Sequence, residues 1–192
     1  MEISIDKIDD LEGPVYVLVG GAISAGKTHV IRNYIKKFKI MDVDDVMEEL
    51  GLTEYTPTNY RRAMSIMSVQ FDATMATKTS LVAMGTAADF KFTVNRLFWA
   101  KHAGYKTVFL HIKASEGQCF KQNESRRLQG KRAVAKEDLY RITDTRTNSQ
   151  QTFAALHDTA LVDWYCQYDN TRPDEELRES LGKFYCDVMA ED

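Results

Sequence analysis

The stretch that most constrains this chain is "VYVLVGGAISAGKTHVIRNYIKKF", Val15 to Phe38, where an apolar run ends in glycines and leads into a basic amphipathic segment. An uninterrupted apolar run of this length suits a short strand buried on both faces, as in a parallel sheet covered by helices. Gly21, four further residues and then Gly26-Lys27-Thr28 fit the phosphate-loop pattern G-x-x-x-x-G-K-[ST]. That pattern has a mechanism. Backbone N–H groups of the loop and of the following helix surround phosphate oxygens, the lysine reaches the β- and γ-phosphates, and the hydroxyl ligates Mg²⁺. A plain strand-to-helix turn is the competing explanation, and the flanking strand and helix that the loop requires decide against it. Gly21, Ala22, Ile23, Ser24, Ala25, Gly26, Lys27, Thr28 and His29 are therefore expected to hold a nucleoside triphosphate.

The rest of the chain alternates in the same manner. Strands are expected at "FKIMDV", "TSLVAM", "YKTVFLHI" and "ALVDWYCQYD". The first helix should run from Lys27 to about Lys37, and a short one, "DVMEEL", should stop at Gly51. Thr58 is expected to cap "NYRRAMSIMSVQFDATMA", Asp89 stands at the start of the next helix and Ser115 opens "SEGQCFKQNESRRL". After a "QGKRAVA" loop a long helix should reach about Leu156, and Pro173 should open a closing helix. Repeated strand–helix alternation predicts a three-layer α/β/α sandwich around a mostly parallel five-stranded sheet, with residues 1–192 as one domain.

Two further elements carry chemistry. The second strand ends in "IMDVDDVMEEL", and ligands of open α/β sheets bind beyond the carboxyl ends of strands. Asp42, Asp44 and Asp45 should thus lie beside the phosphate loop, where a carboxylate accepts a proton from an attacking hydroxyl or helps to hold Mg²⁺. Asp44 is the choice for the base and Asp42 for the metal, although an aspartate here also suits the start of a helix. In "NESRRLQGKRAVAKEDL", arginines packed around a glycine between two helices form a lid-like segment, about residues 121–136, suited to neutralising a charged transition state.

Composition narrows the rest. Net charge is −3, which gives no global attraction to nucleic acid, but Lys121 to Arg146 carries eight Lys/Arg against four Asp/Glu. Cys119, Cys166 and Cys186 are odd in number and far apart, so free thiols in a reducing cytoplasm are expected. The four histidines are scattered, which argues against a structural zinc site. The acidic start "MEISIDKIDDLEG" does not read as a secretory signal, and no apolar run reaches membrane-spanning length.

The phosphate loop, the D-x-D at Asp42–Asp44, "LVAMGT", "AKHAGYKTVFLHI", "RRLQGKRAVAKEDL" and "YDN" occur in an order that resembles the zeta-toxin-like P-loop kinases over roughly Val15 to Asn170. The resemblance implies that Lys27 and Thr28 bind ATP and Mg²⁺ and that Asn170 closes the nucleotide site. It makes Asp44 the general base, and Arg132 with either Arg126 or Arg127 the phosphate-clamping pair. Thr86, in the Gly-Thr after the third strand, would face the acceptor. Zeta toxins carry an acidic residue before that Gly-Thr and an arginine soon after, both used on a UDP-sugar. Here Met84 and Ala87–Ala88 stand in those places. A polar sugar would lose a charged and a hydrogen-bonding partner.

The chain is similar in size and layout to a related group, the phage 5-hydroxymethyluracil DNA kinases. That resemblance implies an acceptor hydroxymethyl on a base in DNA, within a host cytoplasm if the chain is phage-encoded. Tyr60, Arg61 and Arg62 would supply an aromatic and two cations for a strand and its phosphates. A solvated helix turn is the competing reading of those three residues. A kinase of a UDP-sugar or other small nucleotide is one alternative function, and a non-catalytic nucleotide switch is another. A switch wants an aspartate after the third strand, and "SLVAMG" lacks it.

Overall fold

The chain opens with a 3₁₀ turn, Ile5–Asp10, and enters β1 (Val15–Gly20), in which every residue is buried. Then follow α1 (Lys27–Tyr34), β2 (Lys39–Met41), α2 (Val43–Glu49), α3 (Pro57–Ala76), β3 (Leu81–Ala83) and α4 (Phe90–His102). The second half holds β4 (Lys106–Lys113), α5 (Glu116–Leu128), a 3₁₀ turn at Lys136–Asp138, α6 (Tyr140–Leu156) and β5 (Trp164–Asp169). This computed structural model describes residues 1–52, 56–131, 133–157 and 159–171. The expected closing helix after Pro173, Cys186 and Arg132 lie outside the described residues.

The strands form one sheet in the order β2-β3-β1-β4-β5, and every pairing is parallel. From β1 the chain crosses to the β2 edge, returns through β3, and only then reaches β4 on the other flank. Strand order thus reverses at β1, and ligands of such sheets bind at the carboxyl end of that point. Alternation along β1 divides the core. Tyr16 and Leu18 face a layer of Ala63, Met67, Leu97, Ala100 and Leu156 from α3, α4 and α6. Val15, Val17 and Val19 face Val30 and Ile31 of α1 and Ile5 and Ile8 of the opening turn. Ala22, Ala25, Cys119, Phe120 and Ile142 form a third cluster, which seats the phosphate loop on α5 and α6.

Several boundaries differ from the sequence reading. Thr56, not Thr58, caps α3: its side chain accepts from Asn59 N–H, and Pro57 occupies the first turn, where no backbone donor is needed. α1 stops at Tyr34 rather than Lys37 because Asp9 accepts the backbone N–H groups of Lys36 and Lys37, at 2.8 and 3.4 Å, and holds them out of helix. β2 ends at Met41 because Asp42 already caps α2. β5 starts at Trp164, four residues later than its apolar run suggested. Asp89 and Ser115 do cap α4 and α5, through bonds to Phe92 and Gln118 N–H.

Candidate active site

The turn after β1 is shaped by three backbones in the left-handed region: Gly21 at φ +138°, Ser24 at +60° and Gly26 at +80°. Glycine at two of them has a spatial cause as well. A Cβ on Gly21 would stand 2.4 Å from the Ile112 carbonyl, and one on Gly26 would stand 2.7 Å from Asn170 Nδ2. The loop therefore lies against the end of β4 on one side and against the residue after β5 on the other.

Its contacts hold that shape. Gly21 N–H donates to Thr86 O at 3.0 Å, and Ile23 N–H to Thr145 Oγ1 on α6 at 3.2 Å. Asn170 Nδ2 donates to Ala25 O at 2.9 Å, while Gln118 Nε2, buried at the start of α5, donates to Asn170 O at 2.9 Å. Lys27 Nζ donates to the carbonyls of Gly21 (3.1 Å) and Ala22 (2.6 Å), spanning the loop. Ser24 Oγ is buried and has no hydrogen-bond partner among the described residues. A buried hydroxyl without a partner is costly, and a phosphate oxygen would satisfy it.

The carboxylates gather where the second strand ends. Thr28 Oγ1 donates to Asp42 Oδ2 at 3.3 Å, and Asp42 Oδ1 accepts Asp44 N–H at 3.1 Å. One residue thus caps α2 and meets the loop threonine. Asp44 is exposed in the first turn of α2, whereas Asp45 takes both of its oxygens to Arg32 Nη2, at 2.8 and 3.0 Å. The segment from Met84 to Ala88 passes over the end of β1, bringing the Ala87 Cβ close to Gly20: a Cβ there would meet it at 2.9 Å. Thr86 Oγ1 accepts Ala88 N–H at 3.4 Å, so its hydroxyl turns into its own loop.

The remaining candidates are spread more widely. His29 is exposed on α1 and pairs with Asn33 Nδ2 at 2.9 Å. Tyr60, Arg61 and Arg62 occupy the first turns of α3, which packs on α2, and both arginines are exposed. Arg127 is held by Glu124 through two bonds, at 2.8 and 2.5 Å, whereas Arg126 makes no side-chain bond or ion pair among the described residues. Gln118 and Gln122 were missed by the sequence reading; Gln122 Oε1 is 3.6 Å from where a Gly26 Cβ would be. Their only signal was a place in the first two turns after the Ser115 cap.

His111, opposite Gly20 in the sheet, was also unassigned. It is buried, stacks on Phe153 with ring centroids 5.1 Å apart, and approaches Gln167 Nε2 at 3.4 Å. Burial, then the Lys113 and Lys27 charges, push its pKa down to about 4, so it is neutral near pH 7. A cavity of about 270 Å³ lies beside it, bordered by Ala22, Lys113, Arg146 and Gln150.

The sheet and the turn at its switch point form an all-parallel, five-stranded α/β fold, and solved structures share that fold. The chain matches a structure from the PezAT toxin–antitoxin system of Streptococcus pneumoniae, with TM-score 0.61 and 15% identity over 82% of this chain and 69% of that one. It matches a Chloroflexus aurantiacus protein assigned as a kinase, with TM-score 0.63 and 15% identity over 91% of this chain and 98% of that one. The AvrRxo1-ORF1:ORF2 complex with ATP matches with TM-score 0.60 and 14% identity over 82% of this chain and 55% of that one. No family model and no curated protein matches the sequence.

Proposed function

We propose that this protein transfers the γ-phosphoryl group of ATP to an acceptor hydroxyl, and that the acceptor is a hydroxymethyl group on a uracil base in DNA. The observation that carries the first half is the loop itself: left-handed glycines, the bridging Lys27, the orphaned Ser24 hydroxyl and the Thr28–Asp42 pair converge at the switch point of the sheet. ATP and Mg²⁺ fit these residues, with Thr28 and Asp42 for the metal and Asn170, Gln118 and Gln122 at the base end. Among the described residues no group of three or more His, Cys, Asp or Glu could hold a metal. Mg²⁺ in kinases is commonly held by one or two carboxylates together with substrate phosphates, so a single threonine–aspartate pair suffices.

Mg²⁺-ATP would supply the phosphoryl group and an activated leaving group. The chain supplies the rest. Lys27 exchanges its loop carbonyls for phosphate oxygens, loop N–H groups fix the phosphates, and Asp44 accepts the acceptor proton as the hydroxyl attacks. Arg126 and Arg132 neutralise charge that spreads over the transferred group.

For the acceptor, the supporting observation is that the Met84–Ala88 segment over the end of β1 carries no charged side chain to hold a sugar. The resemblance of the sequence motifs to the zeta-toxin-like kinases implies a UDP-sugar instead. Labelled ATP incubated with hydroxymethylated DNA, free nucleotides and UDP-sugars separates the two. Label is expected in the DNA and to vanish with Lys27→Ala. Label in a UDP-sugar alone rejects the DNA acceptor, and full activity of Lys27→Ala rejects the P-loop role.

A further inference from the structure

Beside the nucleotide site, the α6 face of the sheet carries a cavity that the proposed transfer does not use. His111 and Lys113 are two residues apart on β4 and so point to one face. Arg146 and Gln150, four apart on α6, are neighbours one turn from each other. These four side chains, with Asp169 at the end of β5, border the cavity of about 270 Å³. Its wall includes Ala22 of the loop but, among the described residues, not Lys27, Thr28, Asp42 or Asn170.

Donors outnumber acceptors around this space. Lys113 and Arg146 are half-buried, and neither side chain makes a hydrogen bond or ion pair among the described residues. Glu116, at the start of α5, is taken by the Thr143 hydroxyl instead. Burial, then the Lys113 and Lys27 charges, keep His111 neutral. Gln167 Nε2 can only donate, so its approach to His111 Nδ1 at 3.4 Å leaves the ring proton on Nε2. That N–H, on a ring only 3% exposed, has no partner among the described residues. One carboxylate opposes this set: Asp169, exposed at the rim, accepts Thr171 N–H at 2.9 Å. Cations held together repel one another, and a buried donor without an acceptor is costly. An oxyanion would relieve both, and arginine and lysine are the usual partners of phosphate. Pockets for drug-sized ligands start at about 300 Å³, so the volume suits something smaller. We infer that this cavity binds a small oxyanion of the size and charge of phosphate, held by Arg146, Lys113 and the His111 Nε2–H. The site goes beyond the kinase reading, since the nucleotide phosphates belong to Lys27 and the loop.

The test is NMR of the isotope-labelled full chain titrated with inorganic phosphate, with Mg²⁺ and a non-hydrolysable ATP analogue filling the nucleotide site. Phosphate is expected to bind saturably and to shift the His111 Nε2 resonance. Arg146→Gln and Lys113→Gln should each weaken binding at least about tenfold, and Arg146→Lys should recover part of the loss. Lys91→Gln, which removes an exposed charge on α4, should change nothing. Lys27→Ala should keep the His111 shift, so the result stands whatever becomes of the kinase reading. Glycerol phosphate in place of phosphate separates two sources: tighter binding means that the anion arrives on a larger molecule, weaker binding that it arrives free, and either keeps the site. Absence of saturable binding overturns the inference. So does binding that the ATP analogue abolishes, that leaves His111 unmoved, or that Lys91→Gln weakens as much as Arg146→Gln.

Discussion

Asp42, Asp44 and Asp45 are three neighbours of the same charge at one helix start, and their surroundings separate them. Asp42 accepts from both the Thr28 hydroxyl and the Asp44 backbone, so it is an anchor and a cap at once. Asp45 turns to Arg32 on α1, a pair exposed enough that its loss costs at most about 1 kcal/mol. Asp44 stands in the first turn of α2 with its side chain exposed, the position from which a carboxylate can meet an incoming hydroxyl. Asp44→Asn is therefore expected to leave ATP affinity intact and lower kcat by ~10²–10⁴, while Asp45→Asn stays close to wild type. Single-turnover rates for the two variants check this, and equal losses would reject Asp44 as the base. The sequence led to the expectation of a carboxylate beside the loop but not to how the three aspartates divide their contacts. Capping depends on which aspartate ends the strand, and an arginine on α1 is far from them in the chain.

At the scale of elements, the loop after β1 is held by two other elements that close on it, and that is where its glycines have their cause. Asn170, after β5, occupies the space that a side chain at Gly26 would need. Gly26→Ala is expected to combine left-handed strain with displacement of Asn170, costing about 1–3 kcal/mol in stability and weakening ATP binding. Denaturant titration and nucleotide titration together measure it, and a variant with unchanged ATP affinity would free Asn170 from the nucleotide site. α5 makes a second forecast. Glu124 holds Arg127, so Arg126→Ala should reduce turnover far more than Arg127→Ala, with a larger effect on kcat than on ATP affinity. The reverse order would place Arg127 over the phosphates. The loop, the caps at Asp89 and Ser115 and the five strands were legible because each is written in local pattern. The stop of α1, the shift of the α3 cap and the Gln118–Asn170 bond were not. They arise from Asp9 capturing Lys36, from Pro57 fixing the first turn, and from a bond across 52 residues of chain.

For the molecule as a whole, the parallel sheet places its one buried imidazole directly beside the loop. His111 lies on the α6 face of the sheet, stacked on Phe153, with the Lys27 and Lys113 charges adding to its burial. Its pKa falls from 6.5 to about 4 on folding. Between those values the unfolded chain binds a proton that the native state does not, so stability rises with pH through that window. Above pH 6.5 the histidine is neutral in both states and contributes no slope. As pH falls toward 4 the native state loses stability, and the full shift corresponds to roughly 3 kcal/mol. Urea midpoints at pH 7.5, 5.5 and 4.5 should decline more steeply for the wild type than for His111→Gln, which keeps a polar side chain but cannot titrate. The variant is expected to start lower at pH 7.5, through its lost ring stacking, and to converge on the wild type in acid. Parallel declines would mean that His111 protonates in place, despite the Lys27 and Lys113 charges that oppose it.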